Sequence, residues 1–193
     1  MTRKGRTETH YASIFETATG CGAAVASSRG LLAVVMPGAA RSHQEVAAEV
    51  HRAFPDLDGE NAVTQQAAAL LARYFAGERV DFDLPVDERG FTPFQREVYG
   101  AVAHIGYGAV KSYAEVAREI GRPRAARGVG SAMARNPLPI IIPCHRVVGS
   151  GGALIGYSAP GGVATKRALL RMEAAGPGAE RRTESTGDGR ESQ

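Results

Sequence analysis

Two residues able to do chemistry together stand side by side in the run PIIIPCHRVV, Pro139 to Val148: Cys144 and His145. The nucleophile of such a pair is the thiolate, and a free thiol of pKa ~8.5 is only a few per cent ionised at neutral pH. An imidazole that takes the proton, itself oriented by a carboxylate, is the arrangement that activates it. A buried, inert cysteine beside a surface histidine is the competing reading, because free cysteine is among the most buried residue types. Context on both sides of the pair decides between the two.

The backbone that must hold this pair reads as rigid. Ile140 to Ile142 form a short β-branched run suited to a buried strand. Pro143 ends the strand, since it cannot donate to a ladder, and leaves Cys144 at the mouth of a core. Successive side chains of a strand point to opposite faces, so Cys144 and His145 are expected to communicate through a water. Arg146 adds positive charge at the same mouth.

Composition narrows the class. The 193 residues suffice for one domain or two small ones. Two cysteines, Cys21 and Cys144, cannot build a disulfide framework, and a cytoplasmic thiol protein fits better than a secreted scaffold. No signal peptide and no membrane-spanning run is evident. His10, Cys21, His43 and His51 are zinc-capable types without a close pair, so no metal site is expected. The formal net charge of +3 conceals an asymmetry: residues 91–173 carry eleven Lys/Arg against four Asp/Glu, and residues 1–90 carry nine against twelve. A half so basic suits a surface that meets nucleic acid.

Residues 1–9 are polar and are expected to be disordered. Tyr11 to Met36 alternates small and β-branched residues between breaks at Gly20–Gly22 and Ser28–Gly30, a short antiparallel meander. Ser42 and Glu45 form a capping box for a helix from His43 to Phe54, with Val46, Val50 and Phe54 on its apolar side. A second helix, Ala62 to Ala76, turns Leu70, Leu71, Tyr74 and Phe75 toward the core and stops at Gly77. Asp81 to Val86 reads as an edge strand closed by Pro85. Residues 10–87 are thus expected to form an α+β domain, a small antiparallel sheet with helices, holding no catalytic constellation of its own.

After a linker at Asp87–Gly90, residues 91–173 read as a second, mainly α domain. Thr92, Pro93 and Gln95 open a helix to about Ile105. Ser112 and Glu115 cap a short helix, Tyr113 to Ile120, and a further helix spans Ala125–Arg135, halting before Asn136–Pro137. Two short helices joined by a few residues describe a helix-turn-helix. In the second, Ala125, Ala126, Gly128, Gly130, Ser131, Ala132 and Ala134 have little bulk, with Arg127 standing out among them. Each glycine costs a helix ~0.5–1 kcal/mol relative to alanine, so a surface this slim implies close approach, to a nucleic-acid groove or to another helix. Residues 174–193 are rich in Gly, Glu, Arg and Ser and are expected to form a disordered tail.

In chain order, SYAEVA, RAARGVGSAMARNP, IPCHRVV, GYSAPGG and LLRME resemble the C-terminal domain of the O6-alkylguanine-DNA alkyltransferases, the methylated-DNA–protein-cysteine methyltransferases. The resemblance runs from Phe91 to Glu173, and RYFAGERVDFDLP is similar in outline to the end of the family's N-terminal domain. It implies direct damage reversal: O6-alkylguanine is flipped out of double-stranded DNA and its alkyl group passes irreversibly to Cys144, so each protein acts once. O4-alkylthymine repair and the size of alkyl group accepted are left open. The resemblance implies that His145, through a water, accepts the thiol proton, that Glu173 orients the imidazole, and that Asn136 braces the turn carrying the cysteine. Arg127 would be the finger that enters through the minor groove, and Tyr113 would help swing the nucleotide out and contact the flipped base. Ala125, Ala126, Gly130, Ser131 and Arg135 would complete the DNA-binding face. Met133, Val147, Tyr157 and Ser158 would line the base pocket, with Lys166 supporting its loop. No metal, nucleotide or redox cofactor is implied, and no membrane; the implied partner of a cytoplasmic monomer is DNA carrying alkylated bases. The chain departs from the family pattern after Gly156–Tyr157–Ser158, where Ala159–Pro160 is inserted before Gly161–Gly162.

Three other readings fit parts of the sequence. A binding-only sensor of alkylated DNA with the same fold would not need Cys144. A transcription regulator wants several base-reading polar side chains on its recognition helix, where this one offers mostly alanine and glycine. A cysteine hydrolase needs an oxyanion hole and usually a sequence-distant histidine, which the adjacent His145 argues against.

Overall fold

The computed structural model describes residues 8–38 and 40–176. The ends read from sequence as disordered therefore fall, at residues 1–7 and 177–193, outside the described residues. Strands β1 (Tyr11–Thr17), β2 (Gly20–Ser27) and β3 (Gly30–Val35) form an antiparallel sheet in the order β1-β2-β3, with Tyr11 opposite Ala26 and Ser27 opposite Gly30. Helices α1 (His43–Ala53) and α2 (Ala62–Phe75) cover its two faces. Strand period places Cys21, Ala23 and Val25 of β2 against Val46 and Val50 of α1. Ala24 and Ala26 face the other way, onto Phe15, Leu71 and Tyr74. Burial on both faces explains why β2 is built of small residues: a Cβ on Gly22 would sit 2.5 Å from the Phe15 ring and 2.6 Å from the Val35 carbonyl.

Asp81 to Val86 departs from the edge strand expected of it. Only Val86 bridges, in parallel to Leu31, whose N–H donates to the Pro85 carbonyl at 2.8 Å. Pro85 has no N–H to continue a ladder, and the segment is held by packing Phe82 and Leu84 onto the core. Asp87 is more than a linker residue. Its buried carboxylate accepts from the Ser27 hydroxyl at 2.6 Å and pairs with Arg89, which, with the Ser27 hydroxyl, holds it well below the usual carboxylate range against the opposing effect of burial.

The second half carries α3 (Pro93–Ala103), β4 (Lys111–Ser112), α4 (Tyr113–Glu119), α5 (Ala126–Ala134), β5 (Val147–Val148) and α6 (Gly162–Ala175). Helix α6 runs past Glu173, so Ala174 and Ala175, assigned from sequence to the tail, are helical. The capping boxes Ser42/Glu45, Thr92/Gln95 and Ser112/Glu115 all form. One of the glycines of α5 is explained by helix packing rather than by a groove: a Cβ on Gly128 would lie 3.1 Å from the Phe94 ring of α3. Phe15, Leu31 and Leu71 of the first half share one buried cluster with Val98, Val116 and Leu138 of the second. No helix among the described residues is long and apolar enough to cross a membrane.

Candidate active site

The Cys144–His145 pair sits on a turn rather than a strand. Pro139 and Ile142 form an isolated bridge around Ile140, and Cys144–Arg146 make one turn of 3₁₀ helix leading into β5. Ile140 has φ +74°, a region that β-branched residues almost never enter. Such strain costs ~1–3 kcal/mol and persists only where surroundings over-determine it. Asn136 supplies part of that determination: its Nδ2 donates to the Ile142 carbonyl at 2.7 Å, and its Oδ1 accepts from the Leu138 N–H at 3.0 Å. The Cys144 N–H closes the turn onto the same Ile142 carbonyl at 2.7 Å, and the Val34 N–H ties Pro137 to β3 at 2.8 Å. The parallel pairing of Lys111 and Ser112 with Val147 and Val148 fixes the start of α4 to the same turn.

Cys144 is 5% exposed, and that exposure opens into a cavity of about 270 Å³. Tyr113, Gly130, Met133, Tyr157 and Ser158 line it, joined by Ala134 and Gly156. Val147, expected in the pocket lining, is not part of it, and neither is Lys166, expected to support the pocket's loop. Val147 is fully buried beneath the wall, and Lys166, also 0% exposed, donates from Nζ to the Val147 carbonyl at 2.6 Å. A buried ammonium must find an acceptor, and this one also lies 5.8 Å from the centre of the Tyr113 ring. Ala159 and Pro160 face a second cavity, of about 250 Å³, on another side of Cys144, which Met36 and the Arg41–Glu49 pair also line.

Arg127 projects, exposed, from α5 and lines an adjoining cavity of about 460 Å³ with Tyr113, Ala126, Gly130 and Ile155. Ser131 and Arg135 are exposed further along the helix and touch none of these cavities, and Ala125 is the half-buried N-cap. Tyr113, at the first position of α4, donates its hydroxyl to the Ile155 carbonyl at 3.2 Å.

Behind the cysteine lies a buried ionic cluster. His145 is 0% exposed, and its Nε2 lies 2.9 Å from Glu173 Oε1. Glu173, 3% exposed, also accepts from the Tyr74 hydroxyl at 2.6 Å, from Arg146 Nη2 at 2.8 Å and from the Gly108 N–H at 3.1 Å. Arg146, expected at the mouth, is instead buried and gives Nη1 to the Ile105 carbonyl at 2.6 Å. Tyr74 belongs to the half read as having no catalytic constellation. Its place here could not be read from helical periodicity, which marks a residue as buried but not where its hydroxyl goes.

The protonation states follow from these contacts. Burial pushes the Glu173 carboxyl up, but hydrogen bonds from His145, Arg146 and Tyr74 outweigh it and hold the group well below its usual range. Burial holds His145 below its usual value, so the ring is neutral at pH 7. Its Nε2 faces an ionised carboxylate, so the proton of the neutral ring belongs there. The buried Nδ1, which has no hydrogen-bond partner among the described residues, is then the basic atom. Burial also raises the Cys144 thiol, opposed by the Asn136 side chain, the Lys166 charge and nearby N–H groups. The resting sulfur is a thiol that needs a base, and the neighbouring ring is a neutral base.

An α+β layer joined to a helical layer that carries a cavity-lining cysteine next to a buried His–Glu pair defines the class: a two-layer protein with a cavity cysteine in a basic helical half. A family model described as "6-O-methylguanine DNA methyltransferase, DNA binding domain" matches residues 93–175. The methylated-DNA–protein-cysteine methyltransferase of Mycobacterium tuberculosis (strain ATCC 25618 / H37Rv) is 52% identical over 103 residues, 53% of this chain and 61% of that protein. The constitutive one of Bacillus subtilis (strain 168) is 48% identical over 108 residues, 56% and 61% respectively. The matched part thus spans about three fifths of the length of these relatives. Among solved structures, the O6-methylguanine methyltransferase of M. tuberculosis superposes with a TM-score of 0.68 at 36% identity, covering 86% of this chain and 93% of that one. M. tuberculosis OGT in complex with DNA superposes at 0.68 and 34% identity, covering 89% and 97%. The chain belongs to the O6-methylguanine-DNA methyltransferase family, the methylated-DNA–protein-cysteine methyltransferases.

Proposed function

We propose that this protein reverses alkylation damage by moving the alkyl group of O6-alkylguanine in duplex DNA onto its own Cys144. What carries the reading is the position of that sulfur, in the wall of the cavity under α5, with a neutral imidazole on the next residue and no Asp, Glu, Lys or Arg among the described residues that line the cavity. The O6 position is shielded in the base stack, so the nucleotide must be extruded first, at a cost of a few kcal/mol. Arg127 is the exposed cation next to the cavity mouth and fills the gap left in the stack. Tyr113, lining both cavities, guides the base between them.

Cys144 then gives its proton, through one water, to Nδ1 of His145, and Glu173 holds the resulting imidazolium. The sulfur bonds to the alkyl carbon as the carbon–O6 bond breaks, the electron pair goes to guanine, and guanine recovers one proton to balance the one removed. Asn136 keeps the turn in place and Lys166 stabilises the developing thiolate. The thioether has no easy leaving group, so the protein is consumed. The binding-only alternative predicts retention of damaged DNA with no covalent change.

Incubation with duplex DNA carrying tritiated O6-methylguanine is expected to put one equivalent of label on each chain, mapped by peptide analysis to Cys144. Turnover beyond one equivalent, or label on Cys21, refutes the mechanism. Arg127→Ala is expected to slow transfer from duplex by at least about tenfold, the equivalent of ~1.4 kcal/mol. Transfer from the free base, which needs no extrusion, should hardly change, and equal losses on the two substrates would remove Arg127 from the extrusion step.

A further inference from the structure

Tyr74 brings the first half of the chain into the His145–Glu173 cluster. It lies in the last turn of α2, 0% exposed, with its hydroxyl 2.6 Å from Glu173 Oε1 and 3.2 Å from His145 Nε2. Packing alone does not call for a hydroxyl here. The ring meets Phe75 edge-on at 5.4 Å, Tyr107 edge-on at 6.3 Å and Phe82 at 6.2 Å, contacts that a phenylalanine would keep. The hydroxyl is committed to the cluster, and it acts on the same carboxylate oxygen that His145 uses.

We propose that Tyr74 is a positioning residue for the alkyl transfer: the proton it donates to Glu173 Oε1 weakens that oxygen as an acceptor for His145 and so sets how readily the ring accepts a proton at Nδ1. This rests on the reading of Cys144, His145 and Glu173 as the transfer site. A carboxylate oxygen shared among Tyr74, His145 and Arg146 has its charge drawn on by each donor. Without the Tyr74 hydroxyl, the bond from a cationic ring strengthens. The phenol oxygen is itself a weak acceptor for Nε2–H, which acts the other way. It is neutral and at 3.2 Å, so the 2.6 Å charge-assisted bond to Glu173 decides the sign. The other charged groups acting on the ring are Arg146 and Lys166, and a Tyr74 substitution replaces neither.

The test is Tyr74→Phe in the full chain, with two readouts. Titration of the His145 imidazole by NMR should show the midpoint moved up by about one unit, equivalent to about tenfold in the ring's proton affinity. Single-turnover transfer from saturating O6-methylguanine duplex should be slowed about tenfold under acidic conditions, with the ratio of variant to wild type closing on one as the pH rises. Affinity for unmodified duplex should not change. Replacing Tyr74 with 3-fluorotyrosine, a stronger donor of the same shape, should move the midpoint down, and this second protein decides the matter if the phenylalanine variant folds poorly. A rate ratio that is constant with pH, or an unmoved imidazole midpoint, overturns the proposal. A wild-type chain that takes up no alkyl group would sink the transfer reading instead, and the imidazole titration would still decide whether Tyr74 governs His145.

Discussion

Cys144→Ala is expected to bind a duplex carrying O6-methylguanine as tightly as the wild type and to take up no alkyl label. The substitution removes one sulfur from a side chain that forms a small part of a cavity wall, while Arg127 and the rest of the exposed α5 surface stay as they are. Loss of that atom costs fold stability about 1 kcal/mol, far less than loss of a large core side chain. Transfer, by contrast, should lose its nucleophile altogether. Cys21 offers no substitute: it is buried between β2 and α1, in a separate apolar cluster with Val46 and Val50. Fluorescence anisotropy on the damaged duplex and counts of bound tritium after denaturation measure the two properties independently. Residual label at more than a few per cent of wild type would place the nucleophile elsewhere. Loss of duplex affinity would mean that the cysteine does more than react.

What can be read from the sequence is local. The boxes at Ser42/Glu45, Thr92/Gln95 and Ser112/Glu115 form because their hydrogen bonds span only three residues and compete with nothing distant. The meander and both helices of the first half follow from period and turn residues in the same way. The segment carrying Cys144 misleads because three isoleucines favour a strand. Asn136, the flanking prolines and a bond to β3 impose a turn with Ile140 in a left-handed conformation. The charged residues mislead differently. Arg146 and Lys166 count by composition toward a basic surface, yet both are buried, each satisfied by partners that only the fold supplies: Ile105 and Glu173 for one, Val147 for the other. A buried charge is tolerable only with such partners, and sequence alone does not reveal them. Tyr74 reads as one more apolar anchor of α2 for the same reason.

Glu173→Ala should be the most destabilising single change in the site and should also remove transfer. Glu173 is the common acceptor for Tyr74, His145, Arg146 and the Gly108 N–H. Deleting it leaves a guanidinium largely shut off from water whose one remaining hydrogen bond among the described residues goes to the Ile105 carbonyl. Breaking a buried pair by removing one member costs about 3–5 kcal/mol, against a total stability of about 5–15 kcal/mol for a domain. Urea denaturation should therefore show a midpoint displaced to much lower concentration, and a loss below about 1 kcal/mol would mean that the cluster is solvated. The pH dependence carries a second signature. Glu173 is held below its usual 4.5 in the folded chain, so its ionisation stabilises the fold above that pH, and the contribution is lost as the pH falls below it. His145 is held below its usual 6.5, so the unfolded chain takes up that proton first and stability begins to fall below 6.5. Wild-type stability should thus decline on acidification in two stages, and Glu173→Ala should shrink the lower one, to which Asp87 also contributes. The double variant Glu173→Leu with Arg146→Met separates structure from chemistry. Replacing both charges by apolar side chains should recover most of the stability. His145 would remain without the anion that holds its imidazolium, so transfer should stay far below wild type even in a well-folded protein. Recovery of transfer together with stability would mean that Glu173 supports the fold and not the proton relay.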